Sequence, residues 1–209
     1  MDRAFDEVLE RYTARMEDER RIIREQPQRL YDMRDQLLLS VGREAADFLR
    51  ALAIARGATR ILELGTSYGY STLFLADAAR HTGGRLITMD VAADKQDYAR
   101  RELSGAGLDA FVDFQTGDAL ELLEIAPGPF DFVLLDIWKD VYVPAFEIFR
   151  HKLVEHAIIA ADNMLQPEMA RPDAERYRAA VRDRPEFQSV LLPIGQGIEL
   201  SCLWRKPPD

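Results

Sequence analysis

Five segments of this chain place acidic residues beside glycine, serine, lysine or asparagine, directly after short apolar runs. They are Glu63-Leu64-Gly65-Thr66-Ser67-Tyr68-Gly69-Tyr70-Ser71, Asp90, Gly117-Asp118, Asp136 to Lys139, and Asp162-Asn163. Clustered carboxylates repel one another, so folding alone gives no reason for an acid at each place. In the first segment Gly65 permits a tight turn and a ligand's close approach, while Gly69 and Ser71 open a helix whose N–H groups favour an anion. The spacing is not G-x-G-x-x-G, and the central glycine that a pyrophosphate needs is missing. Glu63 would repel a phosphate but accept a hydrogen bond from an ammonium group. Asp90, 21 residues past Gly69, suits the two hydroxyls of a ribose. An ammonium-bearing, ribose-bearing, phosphate-free ligand matches S-adenosyl-L-methionine. The competing reading is a plain strand–turn–helix with small residues.

Asp136, Asp162 and Asn163 offer two carboxylates and an amide oxygen. That all-oxygen set suits Mg²⁺, or another hard divalent cation such as Mn²⁺ or Ca²⁺, rather than zinc. Otherwise Asp-Asn is a turn and Asp136 a helix cap. Lys139 follows Asp136 by three residues; a nearby dication disfavours its ammonium form and makes it a candidate general base, against the commoner solvated lysine. Trp138 either belongs to the core or walls a flat aromatic substrate.

The elements that must position these residues follow from patterning. ILEL (61–64), RLITMD (85–90), AFVDFQ (110–115), FDFVLLD (130–136) and VEHAIIAA (154–161) are apolar runs suited to doubly buried strands. Helical patterns lie between them at 71–80, 93–103, 119–123 and 143–152. Alternation of this kind predicts βαβ units and a parallel sheet, with ligands beyond the strands' carboxyl ends. A helix near 173–182 precedes FQSVLLPI and GIELSCLW, whose separation by Gly195-Gln196 predicts an antiparallel hairpin with a two-residue II′-type turn. Upstream, Phe5, Val8, Leu9, Tyr12 and Met16 recur at helical spacing; Pro27 interrupts, and further helices are expected at 29–38 and 43–55. The expectation is one α/β domain over 1–209, a doubly wound, Rossmann-like, seven-stranded sheet, mostly parallel with one antiparallel C-terminal strand. Residues 1–56 form N-terminal helices over the 57–209 core.

Composition narrows the function. Lys and Arg number 27 against 36 Asp and Glu, a net charge of −9, which disfavours a protein that grips nucleic-acid phosphates. Cys202 is the single cysteine, and three histidines share no zinc-type spacing. Neither a signal-peptide core nor a run of about 18 apolar residues occurs, so a cytoplasmic protein without membrane contact is expected. The apolar positions of the first helix predict a homodimer.

ILELGTSYGYST resembles the first motif of class I S-adenosylmethionine-dependent methyltransferases. FVLLDIWKDVYVPAFE and IIAADNML resemble the cation-dependent O-methyltransferases, among them the catechol O-methyltransferases most closely, over about residues 37–204. The resemblance implies a cofactor site of Ser40, Val41, Glu63, Gly65, Ser67, Ser71, Asp90, Val91, Asp118 and Asp136. It implies metal ligands Asp136, Asp162 and Asn163, base Lys139, and substrate contacts Trp138, Asn163 and Glu199. Leu37, Ile137 and Leu39 stand where animal catechol enzymes carry other residues. The reaction implied is methyl transfer to a hydroxyl of a catechol-like, vicinal dihydroxy aromatic small molecule. The alternatives are a tRNA hydroxyuridine O-methyltransferase with the same metal site, an NAD-dependent oxidoreductase, and a non-catalytic interaction protein.

Overall fold

The computed structural model describes residues 3–28 and 33–204. Its strands are β1 (Arg60–Leu64), β2 (Arg85–Asp90), β3 (Val112–Thr116), β4 (Phe130–Leu135), β5 (Leu153–Ala161), β6 (Phe187–Leu192) and β7 (Ile198–Leu203). Its α-helices are α1 (Arg3–Glu25), α2 (Arg43–Arg56), α3 (Tyr70–Thr82), α4 (Ala93–Gly105), α5 (Ala119–Ile125), α6 (Tyr142–Phe149) and α7 (Arg171–Arg182).

The strand order is β3-β2-β1-β4-β5-β7-β6. Only β7 runs antiparallel to its neighbours, and it lies between β5 and β6 rather than at the edge. The order of strand connection reverses between the parallel neighbours β1 and β4, and ligands of such sheets bind beyond the carboxyl ends at that point. β4 is buried along its whole length, as continuous apolar runs require when helices cover both faces. Alternation sorts the core into two layers. Ile61, Leu86, Phe132 and Leu134 face α1–α4, while Leu62, Leu64, Val133 and Leu135 face α5–α7.

Some boundaries differ from expectation. Residues 29–32 of the helix expected at 29–38 lie outside the described residues; Met33 is helical, and a 3-10 turn follows at Arg34–Gln36. The backbone there is engaged by α1 instead, with Arg15 donating to Gln36 O at 2.7 Å and Leu38 N donating to Glu19 Oε2 at 3.0 Å. The C-terminal hairpin is looser than a two-residue connection. Its ladder closes at Leu192–Ile198, because Pro193 has no N–H to donate and the next residues bond elsewhere. A tight turn survives inside the loop, where Gly197 N donates to Ile194 O and Gly195 has φ 57, the positive φ that II′ requires at its first central position. In α1, Phe5, Val8, Leu9 and Tyr12 are buried. They pack into the chain's own first layer, each worth about 1.5–3 kcal/mol of burial. No helix among the described residues is long and apolar enough to cross a membrane.

Candidate active site

The glycine loop follows β1. Gly65 has φ 101, and a Cβ there would fall 2.0 Å from the Asp136 carbonyl oxygen. The expected close approach is therefore made by the chain itself, where β1 and β4 meet. Gly69 (φ 87) admits α4, since its Cβ would lie 2.6 Å from that of Ala99. Ser67, at φ 45, donates its N–H to Asp90 Oδ2 at 2.7 Å; Ala92 N donates to Asp90 Oδ1 at 2.9 Å. The carboxylate at the end of β2 is thereby pinned, with lone pairs to spare. Val91 beside it is 68% exposed.

Glu63 is wholly buried. Ser71, Thr72 and Thr88 hydroxyls each donate to it at 2.6 Å. Burial pushes its carboxyl up to about 7, with these hydrogen bonds working against that rise. A second buried polar group continues the network. Gln96 donates to Thr66 Oγ1 and Gln115 O, and accepts from Thr116 Oγ1 at 2.6 Å. Sequence reading passed over Gln96, because a polar residue on a helix face carries no signal until its partners are known. Asp118 caps α5, accepting from Leu120 N and Glu121 N.

α1 reaches over this end of the sheet. Tyr12 donates to Tyr68 O at 2.6 Å, and the Arg15 guanidinium stacks 3.8 Å from the Tyr68 ring centroid. Ser67 Oγ contacts Leu38 O at 3.5 Å, and Ser40 Oγ donates to Met16 Sδ at 3.1 Å. The segment at 37–41 thus lies against the glycine loop, with Val41 buried in the core.

Beyond β4 and β5 the arrangement is different. Lys139 Nζ lies 3.5 Å from Asp136 Oδ1 and donates to Ile137 O at 3.0 Å and to Tyr142 Oη at 2.6 Å. Tyr142, fully buried at the start of α6, donates to Leu135 O at 2.8 Å. Burial lowers the Lys139 ammonium below its usual range, opposed by the Asp136 and Asp162 carboxylates. Asp162 is 1% exposed, and its Oδ1 has no hydrogen-bond partner. Burial, then repulsion from Asp136, raises its carboxyl to about 8; burial also raises Asp136. Asn163 has φ 58, and its Nδ2 donates to Gln196 Oε1 at 3.0 Å. Trp138 is 57% exposed beside the cluster. Tyr142 and Gln196 were not singled out from sequence. The first stood in the quoted FVLLDIWKDVYVPAFE run; the second was marked only as a residue of the Gly195-Gln196 turn.

Glu199 lies apart in its contacts. Fully buried, it accepts from Arg178 and Arg182 of α7 at 3.0 and 2.8 Å and from Ser189 at 2.5 Å. Its carboxylate neutralises two arginines under α7. Asp136, Lys139 and Asp162 converge, as do Glu63 with Ser71 and Ser67 with Asp90; Asn163 follows Asp162 in the chain, and its side chain bonds Gln196. Among the described residues no three His, Cys, Asp or Glu side chains cluster as metal ligands; the set here is two aspartates and an amide.

A family profile described as O-methyltransferase matches residues 15–203. A catechol O-methyltransferase of Niastella koreensis is 35% identical over 157 residues, covering 73% of this chain and 70% of its own. The O-methyltransferase ankF of Aspergillus thermomutatus is 32% identical over 178 residues, covering 71% and 72%. Among solved structures, cofactor-bound Rv0187 from MTB superposes with a TM-score of 0.74 at 27% identity, covering 80% of this chain and 83% of that one. The match spans the glycine loop, both aspartates, Lys139 and the hairpin, and on it the chain belongs to the O-methyltransferase family.

Proposed function

We propose that this protein methylates one hydroxyl of a catechol-like, vicinal dihydroxy aromatic small molecule, using S-adenosylmethionine and a hard divalent cation. The observation that carries the reading is the Asp136–Lys139–Asp162–Asn163 cluster at the switch point of the sheet. Two mutually repelling carboxylates, half-buried Asp136 and buried Asp162 with its orphaned oxygen, fit a divalent cation, since its charge relieves both penalties. Asp136, Asp162 and Asn163 would hold it. When bound, such a cation supplies the positive charge that makes a neighbouring aromatic hydroxyl acidic.

Lys139 then accepts the hydroxyl proton at Nζ. Tyr142 Oη and Ile137 O hold that nitrogen in place, and burial favours its neutral form. The ring of Trp138, at the rim, offers a flat wall for an aromatic substrate. S-adenosylmethionine supplies an electrophilic methyl group. Ser67, Asp90, Val91 and Asp118 line the carboxyl ends of β2 and β3 on the side where its nucleoside would lie. Ser40 and Val41, in the segment that Leu38 joins to the glycine loop, would cover its methionine end together with Glu63, Gly65 and Ser71. Substrate reach for Glu199 has no support in its contacts, which are all with α7 and β6. The names of relatives, catechol and caffeoyl-CoA O-methyltransferases, agree with a phenolic acceptor. Every residue named comes from one chain.

Incubation of the purified protein with labelled S-adenosylmethionine and a panel of dihydroxy aromatics tests this. Methyl transfer should vanish with EDTA and return with Mg²⁺. Full activity after EDTA would overturn the metal part of the reading.

A further inference from the structure

Asn163 follows the buried Asp162 in a left-handed backbone conformation, and its side chain has a fixed neighbour. Nδ2 donates to Gln196 Oε1 at 3.0 Å. Gln196 occupies the tight turn of the β6–β7 loop, and that turn is fastened to the segment after β5 by the main chain. Met164 N donates to Gly197 O at 2.9 Å, and Leu165 N and Gln166 N donate to Gln196 O at 2.9 and 3.2 Å. No space remains between the two segments, since a Cβ on Gly197 would sit 2.6 Å from Leu165 Cγ. The Gln196 side chain therefore springs from a backbone that is itself immobilised against the loop it serves.

A primary amide carries its donor and its acceptor on opposite branches. Engaging Nδ2 turns Oδ1 the other way. We propose that Gln196 is a positioning residue, which orients Asn163 so that the amide oxygen, not the nitrogen, joins the Asp136 and Asp162 carboxylates as a ligand for a divalent cation. The inference rests on the metal reading above. Without Oε1, the amide of Asn163 can rotate and present an NH₂ group, which repels a cation. Partners that orient a ligand in this way change metal affinity by roughly 10–100-fold.

The test is Mn²⁺ binding to the full chain, read as free Mn²⁺ by electron paramagnetic resonance. S-adenosylhomocysteine affinity serves as the check on folding. Gln196→Met keeps the side-chain length but removes the acceptor, and should weaken Mn²⁺ at least ~10-fold. In an Asn163→Ala background the same substitution should add nothing, because Gln196 acts through Asn163. Gln196→Glu retains an acceptor and should bind Mn²⁺ at least as tightly as wild type. Wild-type affinity in Gln196→Met, or an equal loss with and without Asn163, overturns the proposal while leaving the metal reading intact. Unchanged affinity in Asn163→Ala removes both. Should Gln196→Met also lose S-adenosylhomocysteine, Gln196→Glu decides alone, and weakened Mn²⁺ binding there overturns the proposal.

Discussion

The two halves of the crevice treat their charges in opposite ways. Around β1 and β2 every acid is already answered by the protein. Glu63 receives three hydroxyls, and Asp90 receives two main-chain amides. Around β4 and β5 the acids are left in tension: Asp162 has an orphaned oxygen, Asp136 repels it, and Lys139, 3.5 Å from Asp136, is shared with Tyr142 and a carbonyl. A neutral or singly charged ligand can dock on the first half without reorganising it. The second half sets two carboxylates against one lysine, a repulsion that the proposed divalent cation would relieve. Pre-organisation and stored electrostatic stress thus sit side by side, separated by the crossing of Gly65 over the Asp136 carbonyl.

Removing the proposed base, Lys139, should break the second half and leave the first untouched. Lys139→Met should lower turnover on the order of 10²–10⁴-fold, with S-adenosylhomocysteine affinity unchanged in calorimetry. A nitro-substituted catechol, already ionised at neutral pH, should show a much smaller defect. Equal defects for both substrates would make Lys139 a packing residue.

The first half has its own signature in pH. The raised Glu63 carboxyl means that the folded state holds a proton that the unfolded chain releases above its ordinary value of 4.5. Stability from this group is full below 4.5 and declines as pH rises toward about 7. The loss is about 3 kcal/mol, at about 1.4 kcal/mol per unit. Glu63→Gln should flatten that decline in urea unfolding with saturating Mg²⁺ present. A curve that stays parallel to wild type would mean the hydroxyls hold Glu63 ionised.

A third test separates function from stability. Asp162, raised to about 8, destabilises the cation-free fold increasingly from its usual value of 3.8 upward. Asp162→Asn should therefore melt higher than wild type at pH 8 without metal. About 1 kcal/mol moves the melting point by about 2–4 °C in a chain of this size. With Mg²⁺ the order should reverse. If the variant melts lower in both conditions, the stress ascribed to this pair is absent.

Strand identity and order of site residues were legible because doubly buried strands need continuous apolar runs, and because residues just past them must lie at one edge of a parallel sheet. Asp136, Lys139, Asp162 and Asn163 could be gathered on that rule alone. Gln96, Tyr142 and Gln196 could not. Each matters through a partner distant in sequence, and a single polar residue on a helix or turn looks the same whether or not that partner is there. Glu199 illustrates the reverse case: a resemblance pointed it at a substrate, while two arginines on α7 enclose it.

The amino-acid sequence by itself determined the βαβ succession, the reversed last strand and the chemical types offered at each strand end, since periodicity and turn chemistry are local. Only the tertiary structure decided which of those groups are already hydrogen-bonded and which remain in tension. It also decided that Gly65 makes room for Asp136 and that Gln36 and Leu38, at the end of the segment expected to be helical, bond to α1. The reason is physical: whether a polar group is satisfied depends on burial and on donors brought from elsewhere in the chain, and neither has a period that a sequence can display.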